Sequence, residues 1–247
     1  SRPSLYSLRV WAAPNFTSQE QGLPTLVRGN PGVEPEQAKQ ADLALEWYYG
    51  DSSSLSGALF IKDIDSFISD EKTPMEVNGN RYLVSQPVSG QYGAKVQGFE
   101  IAWQQSLEQW LPEPFNGFGW QLNYTYVDSS YDDPELKAKD LPFKGMSENS
   151  YNAVLYYEQY GLQARLAYNW RSKFLVDPDA WGGPAWIDDY GQLDASISYD
   201  ITDNLTLFSE ASNLTNNRYS GYIKREDQVN YLERFGTQIA VGIRGRF

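Results

Sequence analysis

The C-terminal stretch Phe235-Gly-Thr-Gln-Ile-Ala-Val-Gly-Ile-Arg-Gly-Arg-Phe247 decides the fold. Its odd positions read Phe235, Thr237, Ile239, Val241, Ile243, Gly245 and Phe247, and its even positions Gly236, Gln238, Ala240, Gly242, Arg244 and Arg246. A period of two sends the two sets to opposite faces of a strand, one greasy and one polar. The same alternation runs upstream: Ala41, Leu43, Leu45, Trp47 and Tyr49; Leu162, Ala164, Leu166, Tyr168 and Trp170; Leu193, Ala195, Ile197 and Tyr199. Little in the chain repeats at the helical period.

These patterns predict about nine antiparallel strands, near residues 38–50, 54–68, 91–107, 115–131, 147–158, 161–175, 189–200, 204–216 and 230–247. Short links (Gly50 to Ser53, Glu108 to Asn116, Gln159-Tyr160, Thr202-Asp203) alternate with long polar ones (about 69–90, 132–146, 176–188 and 217–229). Short on one side and long on the other predicts an all-β, up-and-down transmembrane barrel wall with tight periplasmic turns and long extracellular loops. A soluble sandwich would also alternate, and the aromatics separate the two. Trp47-Tyr48-Tyr49, Tyr156, Tyr157, Tyr160, Trp110 and Tyr199 gather beside the short links, on the side where Phe247 ends. That is where a girdle at one membrane interface puts rings in lipid and polar tips among headgroups.

Composition narrows the function classes. The chain has 247 residues, with 20 Lys+Arg against 32 Asp+Glu for a net charge of −12. Such an acidic surface repels phosphate backbones, so no nucleic-acid partner is expected. It has no cysteine and no histidine. Disulfides, thiol nucleophiles, Ser-His-Asp triads and ordinary zinc sites are thereby excluded. With 8 Trp, 18 Tyr and 11 Phe the chain is aromatic-rich, yet its mean hydropathy is −0.55. No apolar run approaches the ~18 residues of a spanning helix. The opening Ser1-Arg2-Pro3, without initiator Met or apolar leader, reads as a mature protein or a fragment.

Five motifs carry a family resemblance: Gly29-Asn30-Pro31 through Pro35-Glu36, Gly98-Phe99-Glu100, Asn123 through Ser129 (NYTYVDS), Ser212-Asn213-Leu214-Thr215-Asn216, and Gly242 through Phe247. Together, in this order and spacing, they resemble the C-terminal part of TonB-dependent outer-membrane receptors. Two longer stretches, Ser147 through Glu158 and Ala164 through Ser172, look like the branch of that family associated with oligosaccharide uptake. The resemblance implies a 22-stranded barrel in the outer membrane of a Gram-negative bacterium, filled by an N-terminal plug and driven through TonB. The plug, the TonB box and the first strands have no counterpart here, so the chain reads as a single incomplete domain, residues 1–247, the last two-fifths of a receptor. The missing plug and strands, TonB, outer-membrane lipid and an oligosaccharide are the implied partners. A ferric-siderophore receptor is one alternative, and a secreted β-sandwich carbohydrate-binding module another.

No catalytic constellation is present: the acidic pairs Asp132-Asp133 and Asp188-Asp189 read as solvated loops, and the chain is not expected to be an enzyme or to hold a cofactor. Asp177, Asp179, Trp181, Gly182 and Asp188 follow the spacing of a calcium loop, with the wrong residues at its fifth and twelfth positions and no flanking helices, so no metal site is assigned. The polar face carries Glu100, Gln104, Arg165, Arg171, Asp194, Glu210, Arg244 and Arg246. Substrate binding is expected of Tyr131, Asp177, Asp179, Trp181, Trp186 and Tyr219 in the long links, with Tyr222 beside them. Flat rings stack on sugar C–H faces and carboxylates accept hydroxyl hydrogen bonds. Phe247 is expected to signal barrel assembly.

Overall fold

The computed structural model describes residues 3–10, 12–20, 22–66, 68–90, 93–133, 138–180 and 182–246. Its strands in chain order are β1 (Ala12–Glu20), β2 (Leu23–Arg28), β3 (Gln37–Gly50), β4 (Ser53–Ser66), β5 (Ile68–Val77), β6 (Asn80–Ser89), β7 (Ala94–Ser106), β8 (Phe118–Asp133) and β9 (Ala138–Leu141). They continue with β10 (Asn149–Gln159), β11 (Leu162–Arg171), β12 (Phe174–Asp177), β13 (Ala185–Ile187), β14 (Tyr190–Thr202), β15 (Leu205–Ser212), β16 (Arg218–Ile223), β17 (Val229–Arg234) and β18 (Gln238–Gly245).

Nine of these make one sheet in the order β3-β4-β7-β8-β10-β11-β14-β15-β18, with β9 added to β8. They are the nine strands the alternation predicts, in sequence order. The largest boundary error is the last strand, expected over 230–247. The chain breaks it into β17 and β18 at Phe235-Gly236-Thr237, where Gly236 takes φ 72°, a left-handed conformation that ends extended pairing. One of the two-residue connections, Tyr160-Gly161 between β10 and β11, has φ of 55° and 73°. Two successive positive φ values make the type I′ turn whose twist matches a hairpin.

The register keeps the two faces separate across the sheet. From β8 to β11, Phe118 stands opposite Tyr157, Trp120 opposite Leu155, Leu155 opposite Leu166 and Tyr151 opposite Trp170. From β11 to β18, Leu166 meets Ala195, Ile197 meets Ser209, and Leu207 meets Ile243. This apolar face is open: Ile239, Val241 and Ile243 are 68%, 72% and 66% exposed. A sandwich would close those side chains into a core, whereas a membrane wall gives them to lipid.

Aromatic residues border that face at both ends, not only beside the short turns. At the short-turn end Trp103 meets Trp120 edge-on at 5.0 Å, and Phe118 meets Tyr157 at 4.8 Å. At the other end Phe99 lies 5.7 and 5.6 Å from Tyr124 and Tyr126, and Tyr151 lies 5.8 and 5.2 Å from Tyr168 and Trp170. The Gly98-Phe99-Glu100 triplet has a local reason here. Phe99 joins the aromatic border, while Gly98 leaves room on the opposite face for the Phe60 ring and the Tyr126 carbonyl, where a Cβ would collide.

The remaining strands form two small sheets: β5, β6, β13 and β16 lie mostly in stretches expected to be long links, β1 and β2 in a stretch given no strand, and β12 partly and β17 largely in stretches expected to belong to wall strands. One has the order β1-β2-β6-β5, with β2 parallel to β6, and packs Leu26, Leu83 and Val84 out of water. Its β5–β6 turn is Asn78-Gly79, with φ of 51° and 79°. This sheet belongs to a compact unit of residues 1–40, 62–95 and 131–140. The other sheet, β12-β13-β16-β17, buries Phe174, Leu175, Ala185 and Tyr222. It belongs to a second unit of residues 41–61, 96–130 and 141–247, which also holds most of the wall.

Candidate functional site

The polar face of the wall, at the end away from the tight turns, opens into a cleft of about 630 Å³ lined by Ser150 and Asn152 of β10, Asn169 and Arg171 of β11, Tyr190 and Gln192 of β14, and the segment Lys144 to Ser147. Alternation places these side chains together: Ser150 pairs with Arg171, which pairs with Tyr190, so three neighbouring strands supply one row. A second cleft of about 440 Å³ adjoins it, sharing Tyr190 and Gln192 and reaching Tyr219, Glu233 and Gln238.

The partition between the clefts is held by hydrogen bonds. Tyr190 donates to Gln192 Oε1 at 2.8 Å, and Gln192 Nε2 donates to the Asp194 carboxylate at 2.8 and 3.0 Å. Asp194 also accepts the Asn213 backbone N–H at 2.9 Å. Asn213 is buried, with φ 52°. Its Nδ2 donates to the Asn217 and Gly236 carbonyls at 3.2 Å each, and its Oδ1 accepts the Asn217 N–H at 2.9 Å. The Ser212–Asn216 motif is therefore a knot that ties the end of β15 to β14 and to the start of β18.

The cations at the site are engaged. Arg171 Nε donates to Ser147 Oγ at 2.8 Å, its terminal nitrogen donates to the Gly145 carbonyl at 2.8 Å, and its guanidinium lies 4.0 Å over the Phe174 ring. Lys144 faces Asp177 at 3.8 Å. Lys173 donates to Glu226 at 3.2 Å, and this hydrogen bond, followed by the charge interaction with Tyr222, holds its ammonium above the usual lysine range.

The expected binding residues fall as follows. Asp177, Trp186 and Tyr219 come together in the small sheet of the second unit, on β12, β13 and β16. Trp186 pairs with Leu175 on one side and Tyr222 on the other and is half-buried, with the Lys173 ammonium 6.0 Å from its ring. Tyr219 stands between Tyr190 at 5.5 Å and Tyr231 at 5.8 Å, edge to face with both. Asp177 Oδ1 accepts the Asp179 N–H at 3.1 Å, closing a turn, and Asp179 is exposed. Asp188 accepts the Ser220 hydroxyl at 2.8 Å, so the carboxylates of the calcium-like spacing turn to separate partners. Tyr131 is buried, in the first unit. Trp181 and Phe247 lie outside the described residues, as do the side chains of Asp132 and Asp133. Sequence reading missed Ser150, Asn152, Asn169, Tyr190 and Gln192. The parity that assigned Arg171 and Asp194 to the polar face would have assigned these too.

A family profile described as TonB dependent receptor-like, beta-barrel, matches residues 1–214. The chain belongs to the TonB-dependent receptor family. Receptors of this family are outer-membrane barrels of Gram-negative bacteria, and the open apolar face is the lipid-facing side of such a wall. Among solved structures, the ferric enterobactin receptor PfeA of Pseudomonas aeruginosa superposes with a TM-score of 0.70 at 18% identity, covering 98% of this chain and 36% of that one. The ferric-catecholate import receptor Fiu of E. coli K12 gives 0.61 at 16% identity, covering 94% and 30%, and the siderophore receptor PirA of Acinetobacter baumannii 0.60 at 17%, covering 91% and 34%. The chain thus spans about a third of the length of the receptors it matches, and identities this low establish the TonB-dependent receptor fold alone.

Proposed function

We propose that residues 1–247 are one portion of the barrel domain of an active, TonB-driven import receptor whose substrate is a ferric siderophore. What supports this reading is the superposition of nearly the whole chain on receptors named for that cargo. The wall contributes a lipid-facing exterior and an inward polar face, and its outer end carries the two clefts where a ligand arriving from outside meets the strands. The substrate contacts are Trp186 and Tyr219 with Asp177, Asp179 and Trp181 in the second unit and, separately, Tyr131 in the first, and the terminal Phe247 serves barrel assembly.

A second reading is import of an oligosaccharide. The stretches Ser147 to Glu158 and Ala164 to Ser172 favour it, as does an outer end rich in rings and carboxylates, where Lys144 and Lys173 pair with Asp177 and Glu226. The test is uptake by cells that carry the intact receptor as their sole importer, with ferric siderophores and oligosaccharides supplied in turn and TonB deleted in parallel. TonB-dependent iron accumulation establishes the first reading, and growth on the sugar without iron accumulation establishes the second. Deleting Phe247 should lower the amount of receptor inserted far more than the affinity of what is inserted, and equal insertion removes that role.

A further inference from the structure

The connections at the short-turn end are unequal. Asp51-Ser52, Tyr160-Gly161 and Asp203-Asn204 are two-residue turns, whereas Leu107 to Gly117, between β7 and β8, takes eleven residues. The long one is held by its own hydrogen bonds. Leu107 N–H donates to the Phe118 carbonyl at 2.9 Å, the Trp110 and Leu111 N–H groups donate to the Leu107 carbonyl at 2.9 and 3.0 Å, and Phe115 N–H donates to the Pro112 carbonyl at 2.9 Å. The Tyr160 hydroxyl of the neighbouring turn donates to Glu113 at 2.7 Å, and Gly117 lies so close to Gln159 that a Cβ would collide with it. Two turns are thereby joined into one platform.

The platform displays rings that a turn in water would cover. Trp110 is 67% exposed, Phe115 57% and Tyr160 60%, with Leu111 at the surface beside them. Both ends of the long turn are rooted in the lipid face. Leu107 continues the alternating set Phe99, Ile101 and Trp103 of β7, and Phe118, which opens the set Trp120 and Leu122 of β8, meets Tyr157 at 4.8 Å. The exposed rings thus continue a surface already assigned to lipid, at the level where amphipathic rings favour headgroups. The charge of the platform has a single sign. No lysine or arginine occurs in 107–117 or 156–163, and Glu108 and Glu113 enter no ion pair among the described residues.

We infer that this platform is a phospholipid site that selects a primary ammonium headgroup, that of phosphatidylethanolamine. The rings seat at the headgroup boundary, and the ammonium donates hydrogen bonds to the carboxylates of Glu108 and Glu113. An anionic headgroup such as that of phosphatidylglycerol meets two unpaired carboxylates and is repelled, and choline has no N–H to donate. The inference concerns the membrane contact and is independent of the cargo the receptor imports.

The experiment places one NBD-labelled cysteine in the intact receptor, any other cysteine being replaced by serine, in phosphatidylcholine vesicles. The label is carried by Leu111→Cys on the platform, Asp51→Cys on the β3–β4 turn or Val241→Cys on the wall. Trace 5-doxyl lipids with an ethanolamine or a glycerol headgroup and the same acyl chains act as quenchers. The label at 111 should be quenched by the lipid probes and poorly by aqueous iodide, and the label at 51 the reverse. At 111 the ethanolamine probe should quench about twofold to fivefold more effectively than the glycerol probe, the strength of an exposed ion pair. Glu108→Gln combined with Glu113→Gln should bring that ratio to about one, the value expected at 241 throughout. Heat-modifiable gel mobility reports folding, and if the double variant does not fold, the ratio at 241 serves as the reference for 111. Iodide quenching at 111 as strong as at 51 overturns the site, since the rings then face the aqueous periplasm. So does a ratio at 111 equal to that at 241, or a preference that survives the double substitution, because the platform is then only a part of the aromatic border.

Discussion

The wall and the small sheet β12-β13-β16-β17 lie in the same unit and are held by different solvents. In the wall, Ile239, Val241 and Ile243 alternate with polar residues and face outward uncovered, so the favourable environment for the apolar face is lipid. In the small sheet, Phe174, Leu175, Ala185 and Tyr222 are buried by the sheet's own strands and loops, as in a soluble protein. One chain thus folds by two rules at once: closure of backbone hydrogen bonds in a slab of lipid, and burial of a minimal core above it.

The largest effect should come from charging the wall. Val241→Arg should destabilise the intact receptor by about 2–4 kcal/mol, because the arginine enters the apolar band near its middle. Leu232→Arg on the exposed strand β17 should cost less than about 0.5 kcal/mol. Equal costs in reversible unfolding from lipid vesicles would dissolve the distinction between the two regions.

Next in size is Leu175→Ala, which removes a fully buried side chain from the small sheet. It should cost about 2 kcal/mol locally, the low end for such changes because an exposed sheet can partly collapse into the gap. Protease cuts should then appear within residues 174–187 and 218–234 while the wall keeps its heat-modifiable mobility. Asn213→Ala should cost about 1–2 kcal/mol, because it frees two carbonyls and one N–H and leaves alanine at positive φ. As the knot between wall and small sheet, it should loosen β16 and the start of β18 together in hydrogen exchange. Protection lost on one side only would show that the knot serves a single region.

How much was legible follows from the same contrast. The nine wall strands were readable because lipid against water imposes strict alternation, as in Leu162 to Trp170 or Gln238 to Gly245. The small sheets were not, because strands such as β17 are exposed on both faces and β13 is too short to show a period. One signal was overlooked: Asn78-Gly79 between two extended runs is the strongest short-range sign of a hairpin, and it joins β5 to β6. The expected ligand residues were chosen for type, and Trp186 and Tyr219 do lie in one sheet. The cleft was overlooked because neither Ser150, Asn152 nor Asn169 is unusual alone; only the register makes them neighbours.

Smaller effects belong to the outer side chains. Trp186→Ala should weaken ligand binding by about 1 kcal/mol without changing gel mobility, and unchanged binding would make the ring a packing element. The Lys173–Glu226 pair gives the smallest effect, since both partners are largely exposed. The pair raises the lysine above its ordinary value, so its contribution is complete below about pH 10 and is lost only as pH rises through the folded value. The pair's small contribution to the small sheet should therefore not vary across neutral pH, and the difference in hydrogen exchange between Lys173→Met and the wild type should stay constant from about pH 6 to 8.

The two aromatic borders also fix a length. From Phe118 to Tyr126 on β8 and from Tyr151 to Tyr157 on β10, the rise is about 20–27 Å along the strands, or about 16–21 Å across the slab at a tilt near 40°. Such a wall matches a thin bilayer. In a thicker bilayer it would have to pinch the surrounding chains, at a fraction of a kcal/mol per Å of mismatch, so the wall should insert more readily into vesicles of short-chain lipids than of long-chain ones.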